Sequence, residues 1–338
     1  MRPVPTLRAA HLLPYLEFCL DNGLPAERLL NKFRLPASLD AQPEAKLPIL
    51  PTLKFLAHIE RSACVQDIGI LASRYVSLSL LSRLNQRAIL TAPTLQDALA
   101  AWIVGSQIES NAFVGWVAAE NDSIRVCKRQ EIAIVDDEET RALQIHFILI
   151  VLCVIRAFAG QNWSPISMGF GSCVPLNPMV GHLFPKTQFF FRQDCSWISL
   201  PKGMLGIEGN RSRLTLPATQ SCGEVRPIIR LADDYVTALK GVLKPYLPDG
   251  YPGIDLAAEI LGTSVRSLQR TLAQCSTTYS KLIEETRVEA AVELLESSDS
   301  KIIDVAYAVG YEDPSHFSRA FRRLKGTSPR EFRVSGAA

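Results

Sequence analysis

The chain has 338 residues, with 36 Lys and Arg against 34 Asp and Glu, so its net charge is only +2. Its 47% hydrophobic and 21% charged residues are typical of a globular protein and exclude disordered and fibrous classes. The length predicts two domains. The eight cysteines are scattered singly and none lies at metal-ligand spacing, so we expect neither a metal site nor a cofactor.

The sequence carries no membrane or export signal that we recognise. The first residues, "MRPVPTLRAAHLLPYLEF", lack a long apolar run before a small-residue cleavage site. The apolar run Phe147–Ile155 is nine residues long, whereas a span needs about 20. We therefore interpret this run as a buried core helix and expect a cytoplasmic protein without a membrane partner.

The first two hundred residues mix helical and strand patterns. Apolar residues recur at helical spacing over Leu50–Cys64, and Thr94 is placed to cap a second helix. Two strands follow, joined at residues 120–122, and then a longer helix over Asp136–Ala159. The segment Thr187–Pro201 has the pattern of another strand pair around a turn. These patterns predict an α+β domain over residues 1–205.

A change of composition follows this domain. Residues 206–224 are rich in Gly, Ser, Thr and Asn and show little periodicity, which predicts a linker. From there on every pattern is helical, so we predict an all-α domain over residues 225–338.

This second domain contains an internal repeat with a fixed offset of 49 residues. "DLAAEILGTSVRSLQRTL" (Asp255–Leu272) aligns with "DVAYAVGYEDPSHFSRAF" (Asp304–Phe321). Each copy predicts a short helix, a glycine turn, a capping Ser264 or Asp313, and a second helix. The two helix-turn-helix units span about residues 255–274 and 303–325. Asp255 and Asp304 are expected to cap the first helix of each unit.

The second helix of each unit has an apolar face and a polar face. We expect the apolar positions to be buried: Leu268, Leu272, Phe317, Phe321 and Leu324. The opposite face is polar, with Arg266, Gln269, Arg270, Ser315, His316, Ser318, Arg319 and Arg322. A helix in the major groove of DNA needs such long donors, since Arg reads guanine and Gln reads adenine.

Cations for phosphate contacts cluster at the end of the chain. From Arg319 to Arg333 there are six basic residues and one acidic residue, and the cations after Arg319 are Arg322, Arg323, Lys325, Arg330 and Arg333. A long helix within Ser276–Ser298, with its glutamates 284, 285 and 289 expected to be solvated, links the units. It can hold two recognition helices about 34 Å apart, one turn of DNA.

Asp255–Arg333 resembles the DNA-binding domain of the AraC/XylS family of bacterial transcription regulators. The segment "IIDVAYAVGYEDPSHFSRAFRRLKGTSPREFR" is similar to the family's C-terminal signature. The N-terminal "LTAPTLQDALAAW" and "FFFRQDCSWISLP" resemble parts of the arabinose-binding-like effector domain of one branch of the family. The resemblance implies a two-domain regulator, with an effector domain before the DNA-binding domain.

The resemblance also implies which residues read bases. In the first unit these positions fall on Arg266, Gln269 and Arg270, and in the second on Pro314, Ser315, His316, Ser318 and Arg319. Pro314 departs from the polar residues common in the family, and Val265 offers only apolar contact. The alternative for Arg270 and Arg319 is surface ion pairing, but their equivalence in the repeat favours DNA contact. His316 has the alternative of a helix-start residue.

The resemblance predicts an activator that binds double-stranded promoter DNA and RNA polymerase, with a small-molecule effector and a homodimer as further candidate partners. The alternative is a regulator without a metabolite, controlled by a protein partner or by dimerisation. No catalytic motif is present, so we do not expect an enzyme, although an enzyme fused to a DNA-binding domain stays a third hypothesis.

The effector-binding residues are unknown from sequence. The cations Lys186 and Arg192 are candidates, with surface exposure as their alternative. The aromatic candidates, for which core packing is the alternative, are Phe113, Trp116, Phe189, Phe190, Phe191 and Trp197.

Overall fold

The computed structural model describes residues 4–37, 39–62, 67–130, 137–172, 176–209 and 235–336. Most of the predicted linker, residues 210–224, lies outside them. The described N-terminal residues form helices and strands together, and the described C-terminal residues are helical. The predicted fold class, α+β followed by an all-α pair of helix-turn-helix units, is confirmed.

The N-terminal helices surround two apolar cores. Helices α1–α4 pack on a first core around Leu12, Tyr15 and Phe55, and helices α6 and α7 cover a second core on a sheet. The helices are α1 (Leu13–Asp21), α2 (Ala26–Lys32), α3 (Ile49–Ser62), α4 (Ile68–Leu71), α5 (Arg83–Leu90), α6 (Leu95–Glu109), α7 (Asp137–Ala159) and α8 (Pro178–Leu183).

The strands form two sheets. β1 (Thr6–Arg8) pairs antiparallel with β2 (Lys46–Pro48). The second sheet has the order β3-β4-β7-β5-β6. Its strands are β3 (Phe113–Glu120), β4 (Ser123–Gln130), β5 (Ser167–Gly169), β6 (Gln188–Phe190) and β7 (Ser196–Pro201).

Several N-terminal predictions are confirmed. Thr94 accepts a hydrogen bond from the backbone of Asp97, at 3.3 Å, and α6 begins at the next residue. β3 and β4 form the expected hairpin, with Glu120 opposite Ser123. The predicted strand pair within residues 187–201 is wrong as a pair: β5 lies between its strands, and β6 pairs parallel with β5 instead. β6 and β7 are neighbours in sequence but not in the sheet, because β5, from an earlier segment, lies between them.

Helix α7 contains the apolar run of Phe147–Ile155. Its residues Thr140–Ala159 form the one helix of the described chain long and apolar enough to cross a membrane. In the fold, 67% of its most apolar stretch is buried, against α6 and the sheet. This burial agrees with the predicted core helix.

The C-terminal helices follow the predicted repeat. They are α9 (Tyr235–Leu243), α10 (Ile254–Ile260), α11 (Val265–Gln274), α12 (Tyr279–Ser297), α13 (Ile302–Ala308), α14 (Pro314–Lys325) and α15 (Pro329–Gly336), with a short 3-10 helix over Lys244–Asp249 after α9. One apolar core joins α9–α11 to the start of α12. A second core joins α13–α15 to the rest of α12.

The first helix-turn-helix unit contacts the N-terminal residues. Val4 is 3% exposed and packs in the core of α9–α11. Just before this unit, Tyr246 packs in the same core, and its hydroxyl donates a hydrogen bond to the backbone oxygen of Arg34 at 2.8 Å. A side chain at Gly262 would collide with Leu50 of α3. The N-terminal part of the chain therefore packs against the turn of the first unit.

Candidate nucleic-acid interface

Each unit turns at a glycine with a left-handed backbone. Gly262 has φ +65° and Gly310 has φ +80°, which side chains other than glycine's adopt at a cost. At Gly310 a Cβ atom would also lie 2.7 Å from the backbone oxygen of Leu247. The sequence prediction of a glycine turn in both copies is confirmed, although the glycines are offset by one position in the repeat.

The capping residues after each turn are confirmed. Ser264 Oγ accepts from the backbone N–H of Ser267 at 3.2 Å, and an Asp313 carboxylate oxygen accepts from the N–H of Ser315 at 2.7 Å. That backbone hydrogen bond is the largest cause that lowers the pKa of Asp313. Each cap satisfies a free backbone N–H in the first turn of α11 or α14.

Asp255 and Asp304 do not cap the first helices, so that expectation is wrong. The caps are Gly253 and Lys301, and neither makes a side-chain capping bond. The two aspartates lie within the first turn instead. There their charge faces the positive end of the helix dipole, which also stabilises the helix.

The apolar face of each recognition helix is buried as predicted, with one exception. Phe317 and Phe321 are fully buried, and Phe317 lies between Tyr311 and Phe321, with ring centroids 5.4 and 5.7 Å away. Leu268 and Leu272 occupy the same places in the first unit and are 1% and 0% exposed. Leu324 is 38% exposed, because the last turn of α14 extends past the core.

The opposite faces are open to solvent. The exposed polar side chains that the sequence placed on these faces of α11 and α14 are Arg266, Gln269, Arg270, Ser315, His316, Arg319, Arg322, Arg323 and Lys325. Ser318 is half-buried and donates to the backbone oxygen of Pro314 at 2.9 Å. His316 Nε2 lies 3.6 Å from an Asp313 carboxylate oxygen. Pro314 occupies the first position of α14, where a missing N–H has no cost.

The cations on these faces are mostly unpaired. Among the described residues, Arg266, Arg270, Arg319, Arg322, Lys325 and Arg330 form no ion pair. Arg323 is different, because it pairs with Glu284 of α12. Arg333 is half-buried, and its Nε and Nη2 atoms have no hydrogen-bond partner within the described part of the chain. Apart from Arg330, which lies on α15, these unpaired cations lie on the exposed side of α11 and α14, where a polyanion can approach them.

Helix α12 ties the units together. Arg287 donates from Nε to the backbone oxygen of Val309 at 3.0 Å and from Nη2 to that of Gly310, and its guanidinium lies 3.4 Å from the centroid of the Tyr311 ring. This residue fixes the turn of the second unit to the linking helix. It compensates the free carbonyl groups at the end of α13.

Three glutamates of α12 are not simply solvated, contrary to the sequence expectation. Lys240 of α9 lies 2.8 Å from both Glu285 and Glu289. Glu284 pairs with Arg323. These pairs depend on how α9 and α14 pack against α12. The local sequence pattern does not predict this packing.

A buried polar cluster lies in the N-terminal part. Arg8 Nε and Glu109 Oε2 are 2.8 Å apart, and both side chains are almost fully buried. The other carboxylate oxygen of Glu109 accepts from Ser82 N–H at 2.9 Å and from Asn85 Nδ2 at 2.6 Å. Burial alone would raise the pKa of Glu109, but the hydrogen bond to His11 and the Arg8 charge reverse this and lower it to about 2. The carboxylate is thus charged and fully bonded.

Two histidines extend this cluster into the core. His11 Nε2 lies 3.0 Å from Glu109 Oε2, and His11 Nδ1 lies 3.0 Å from His146 Nε2. Sequence reasoning missed this contact, because 135 residues separate the two histidines. Burial lowers the pKa of His11, and it lowers the pKa of His146 well below the usual range. Both rings are therefore neutral near pH 7.

Lys128 of β4 faces the same region. Its Nζ atom lies 3.8 Å from the ring centroid of Phe113 and 4.9 Å from that of Phe147. Among the described residues it forms no ion pair. Burial lowers the pKa of its ammonium group to about 7. Of the candidates named from sequence, Phe113 lines this region, whereas Lys186 and Arg192 are exposed elsewhere.

The buried histidines predict acid sensitivity. A group whose pKa is lowered by folding stabilises the fold above its unfolded pKa of about 6.5, and this contribution is lost as the pH falls. Each such histidine should remove at most about 1.4 kcal/mol of stability per pH unit below 6.5, down to its own folded pKa. We expect His146→Asn to flatten the pH dependence between pH 6.5 and 5.5. Urea unfolding followed by tryptophan fluorescence measures it, since all four tryptophans lie between residues 102 and 197.

The control for this measurement is His182→Asn. His182 is exposed on α8, so its replacement should leave the pH dependence as in the unmodified chain. An equal flattening in both variants would contradict the assignment of acid sensitivity to the buried pair.

The two helix-turn-helix units match a known protein family. Residues 257–335 match the family model described as "Helix-turn-helix domain", of the AraC type. The chain carries an AraC-type helix-turn-helix domain. The match covers α11–α14 with most of α10 and α15, the elements that form the repeat. This match confirms the resemblance that the C-terminal signature indicated.

Curated relatives align over similar parts of the chain. An ornithine utilization regulator of Pseudomonas aeruginosa is 30% identical over 148 residues, which are 42% of each chain. The transcriptional activator RhaS of Escherichia coli is 38% identical over 80 residues, 23% of this chain and 29% of RhaS. The chain thus spans less than half the length of either relative. One of these relatives is named as a regulator and the other as a transcriptional activator.

Solved structures resemble the chain as well. The transcriptional regulator CdpR of Pseudomonas aeruginosa is 18% identical, with 91% of this chain and 97% of that chain covered and a TM-score of 0.39. The DNA-binding domain of AdpA, solved with a target DNA, is 24% identical, covers 30% of this chain and 90% of its own, and has a TM-score of 0.27.

Proposed function

We propose that the chain is a sequence-specific transcription regulator that reads two adjacent major-groove segments with α11 and α14. The observation that supports this most is the pair of capped recognition helices, each packed by its apolar face and presenting unpaired arginines on the other. Arginine donors on an exposed helix face match base edges and phosphates. The AraC-type domain and the relatives named as regulators agree with this function.

The proposal assigns roles to the exposed residues. Arg266, Gln269 and Arg270 of α11 and Ser315, His316, Ser318 and Arg319 of α14 read bases, while Arg322, Arg323 and Lys325 hold phosphates. For Arg323 this role requires release from Glu284, so its contact costs more than the others. Residues 226–338 hold 15 basic and 15 acidic residues, so placed contacts count for more than bulk charge.

The N-terminal domain is the proposed sensor. We infer that a small molecule bound there changes DNA binding and makes the protein an activator that contacts RNA polymerase. The contacts of Val4, Arg34 and Leu50 with the first unit provide a direct physical connection between the two parts. A ligand acts through them only if it binds one arrangement of the domains more tightly than another.

The first test is genome-wide. DNA bound by the full-length protein is captured and sequenced, and the proposal expects a recurring asymmetric site of about two helical turns beside promoters. Random recovery of DNA by the protein, both alone and with cell metabolites added, would contradict sequence-specific binding. The genes beside the sites indicate which metabolites to test as effectors.

Arg319→Ala tests the base-reading assignment. We expect the variant to lose about 1–3 kcal/mol of binding free energy on the cognate site and to relax the preference at one base position. Arg330→Ala is the control, since Arg330 is exposed on α15 outside the recognition helix and should weaken all sequences alike while lowering the salt dependence. Titration of both variants against cognate and scrambled duplexes at several salt concentrations separates these outcomes. Equal weakening by Arg319→Ala on both duplexes would make Arg319 a phosphate contact.

A further inference from the structure

The N-terminal core holds the ammonium group of the half-buried Lys128, which has no counter-charge among the described residues. Lys128 lies on β4 in phase with the buried residues Ile124 and Val126, so its side chain enters the core face of the sheet. Two phenylalanine rings contact the ammonium, which offsets only part of the cost of removing a charge from water. The carboxylate nearby, Glu109, is already occupied by Arg8, His11, Ser82 and Asn85.

A second polar atom beside it also lacks a partner. Because ionised Glu109 can only accept, His11 Nε2–H donates a hydrogen bond to it, and His11 Nδ1 then accepts from His146 Nε2–H. The Nδ1 atom of neutral His146 is left as an acceptor. This atom is buried and makes no hydrogen bond to any described residue. Buried polar atoms without a partner are rare and point to a missing ligand or water.

Both residues line one cavity. It has a volume of about 40 Å³, and its apolar walls include Leu81, Trp102, Phe113 and Phe147. This volume holds about three waters, hence a molecule of only a few non-hydrogen atoms. The cavity thus combines one cation, one free acceptor and an apolar wall, and it lies in the domain that we assign to sensing.

We propose that this cavity binds a small carboxylate that carries a hydroxyl group, of two or three carbons, as in a 2-hydroxy acid. The carboxylate pairs with the Lys128 ammonium, the hydroxyl donates to His146 Nδ1, and the short carbon chain contacts Trp102 and Leu81. The proposal rests on the proposed function, because it names the class of effector for the sensing domain.

Proton linkage follows from the same arrangement. A bound carboxylate stabilises the charged ammonium, so it raises the pKa of Lys128 and binding takes up a proton above pH 7. The other titratable groups that line the cavity do not change charge in this range. His11 and His146 are neutral, and Glu109 is charged. Affinity for the carboxylate should therefore fall as the pH rises from 7 to 9.

The test is calorimetric titration of the full-length protein with sodium lactate, propionate and the neutral lactamide. Lactate should bind, propionate should bind more weakly, and lactamide should not bind measurably. Lys128→Met should weaken lactate binding by about 10-fold to 100-fold, because a charge-assisted pair is lost. It should also raise the thermal midpoint of the unliganded protein, since it removes an unpaired charge. This rise shows that the variant folds.

Arg129→Met is the matched control, because Arg129 is the next residue of β4 and is exposed. It should bind lactate as the unmodified chain does. Equal binding of lactate and lactamide, or equal binding by Lys128→Met and the unmodified chain, overturns the proposed site. Equal binding of lactate and propionate overturns the contact with His146.

A DNA-binding titration with and without lactate separates this site from the proposed function. Site-specific DNA binding together with no lactate binding overturns the site and leaves the regulator standing. Lactate binding that changes neither DNA affinity nor the site preference supports the site and overturns its role in sensing.

Discussion

Glu109→Ala is expected to lower the free energy of unfolding by about 3–5 kcal/mol, because it removes the buried carboxylate that pairs with the Arg8 guanidinium and leaves this buried cation only the exposed Glu44 as a charged partner. It also removes the acceptor of Ser82 and Asn85 and the partner of His11. A loss of this size is a large part of the roughly 5–15 kcal/mol that usually separates folded from unfolded chains. Urea unfolding monitored by tryptophan fluorescence measures it.

The same arginine supplies the control. Arg8 Nη1 also pairs with Glu44 at 2.8 Å, but the Glu44 side chain is 69% exposed. Glu44→Ala should therefore change stability by at most about 1 kcal/mol. Similar losses in the two variants would mean that burial does not decide the strength of these pairs here.

Phe317→Ala is expected to cost about 3–5 kcal/mol and to unfold the second helix-turn-helix unit before the first. Phe317 is fully buried between Tyr311 and Phe321, in the core of α13–α15, whereas the first unit has a core of its own. Hydrogen exchange should show faster exchange over α13–α15 than over α10 and α11. Under the proposed function, binding to the half of the DNA site assigned to α14 should be lost.

Leu324→Ala is the matched control on the same helix. Leu324 belongs to the apolar stripe of α14 by spacing but is 38% exposed, so its removal should cost less than about 1 kcal/mol. If Leu324→Ala proved as damaging as Phe317→Ala, the end of α14 would be packed in solution in a way that this fold does not show.

The helix-turn-helix units could be predicted from sequence because their signals are local. A glycine with positive φ, a capping side chain at the start of the next helix, and apolar residues one turn apart act within a dozen residues. The predictions that were wrong within the units concern the ends of their helices. Leu324 fits the helical spacing, but exposure at the last turn depends on where the neighbouring helices end.

The N-terminal cavity could not be predicted from sequence, because it is formed by contacts between segments that are distant in the chain. The contact between His11 and His146 joins the start of the chain to the middle of α7, and the sheet order places β5 between β6 and β7. One local signal was present: Lys128 continues the alternation of Ile124 and Val126, which places a charge on the buried face of β4. A lysine at an inward position of a strand marks a candidate site from the alternation pattern alone.

Helix α9 sets the limits of the smallest autonomous DNA-binding fragment. The repeat begins at Asp255, but Leu239, Val242 and Leu243 of α9 are fully buried in the core of the first unit, and Lys240 and Lys244 bind the glutamates of α12. A fragment that begins at Asp255 would lack α9, expose the apolar residues of the first unit that pack against it, and aggregate. Expression of the domain should start upstream of Tyr235, and a grafted hybrid that joins these recognition helices to another sensor should carry α9 with them.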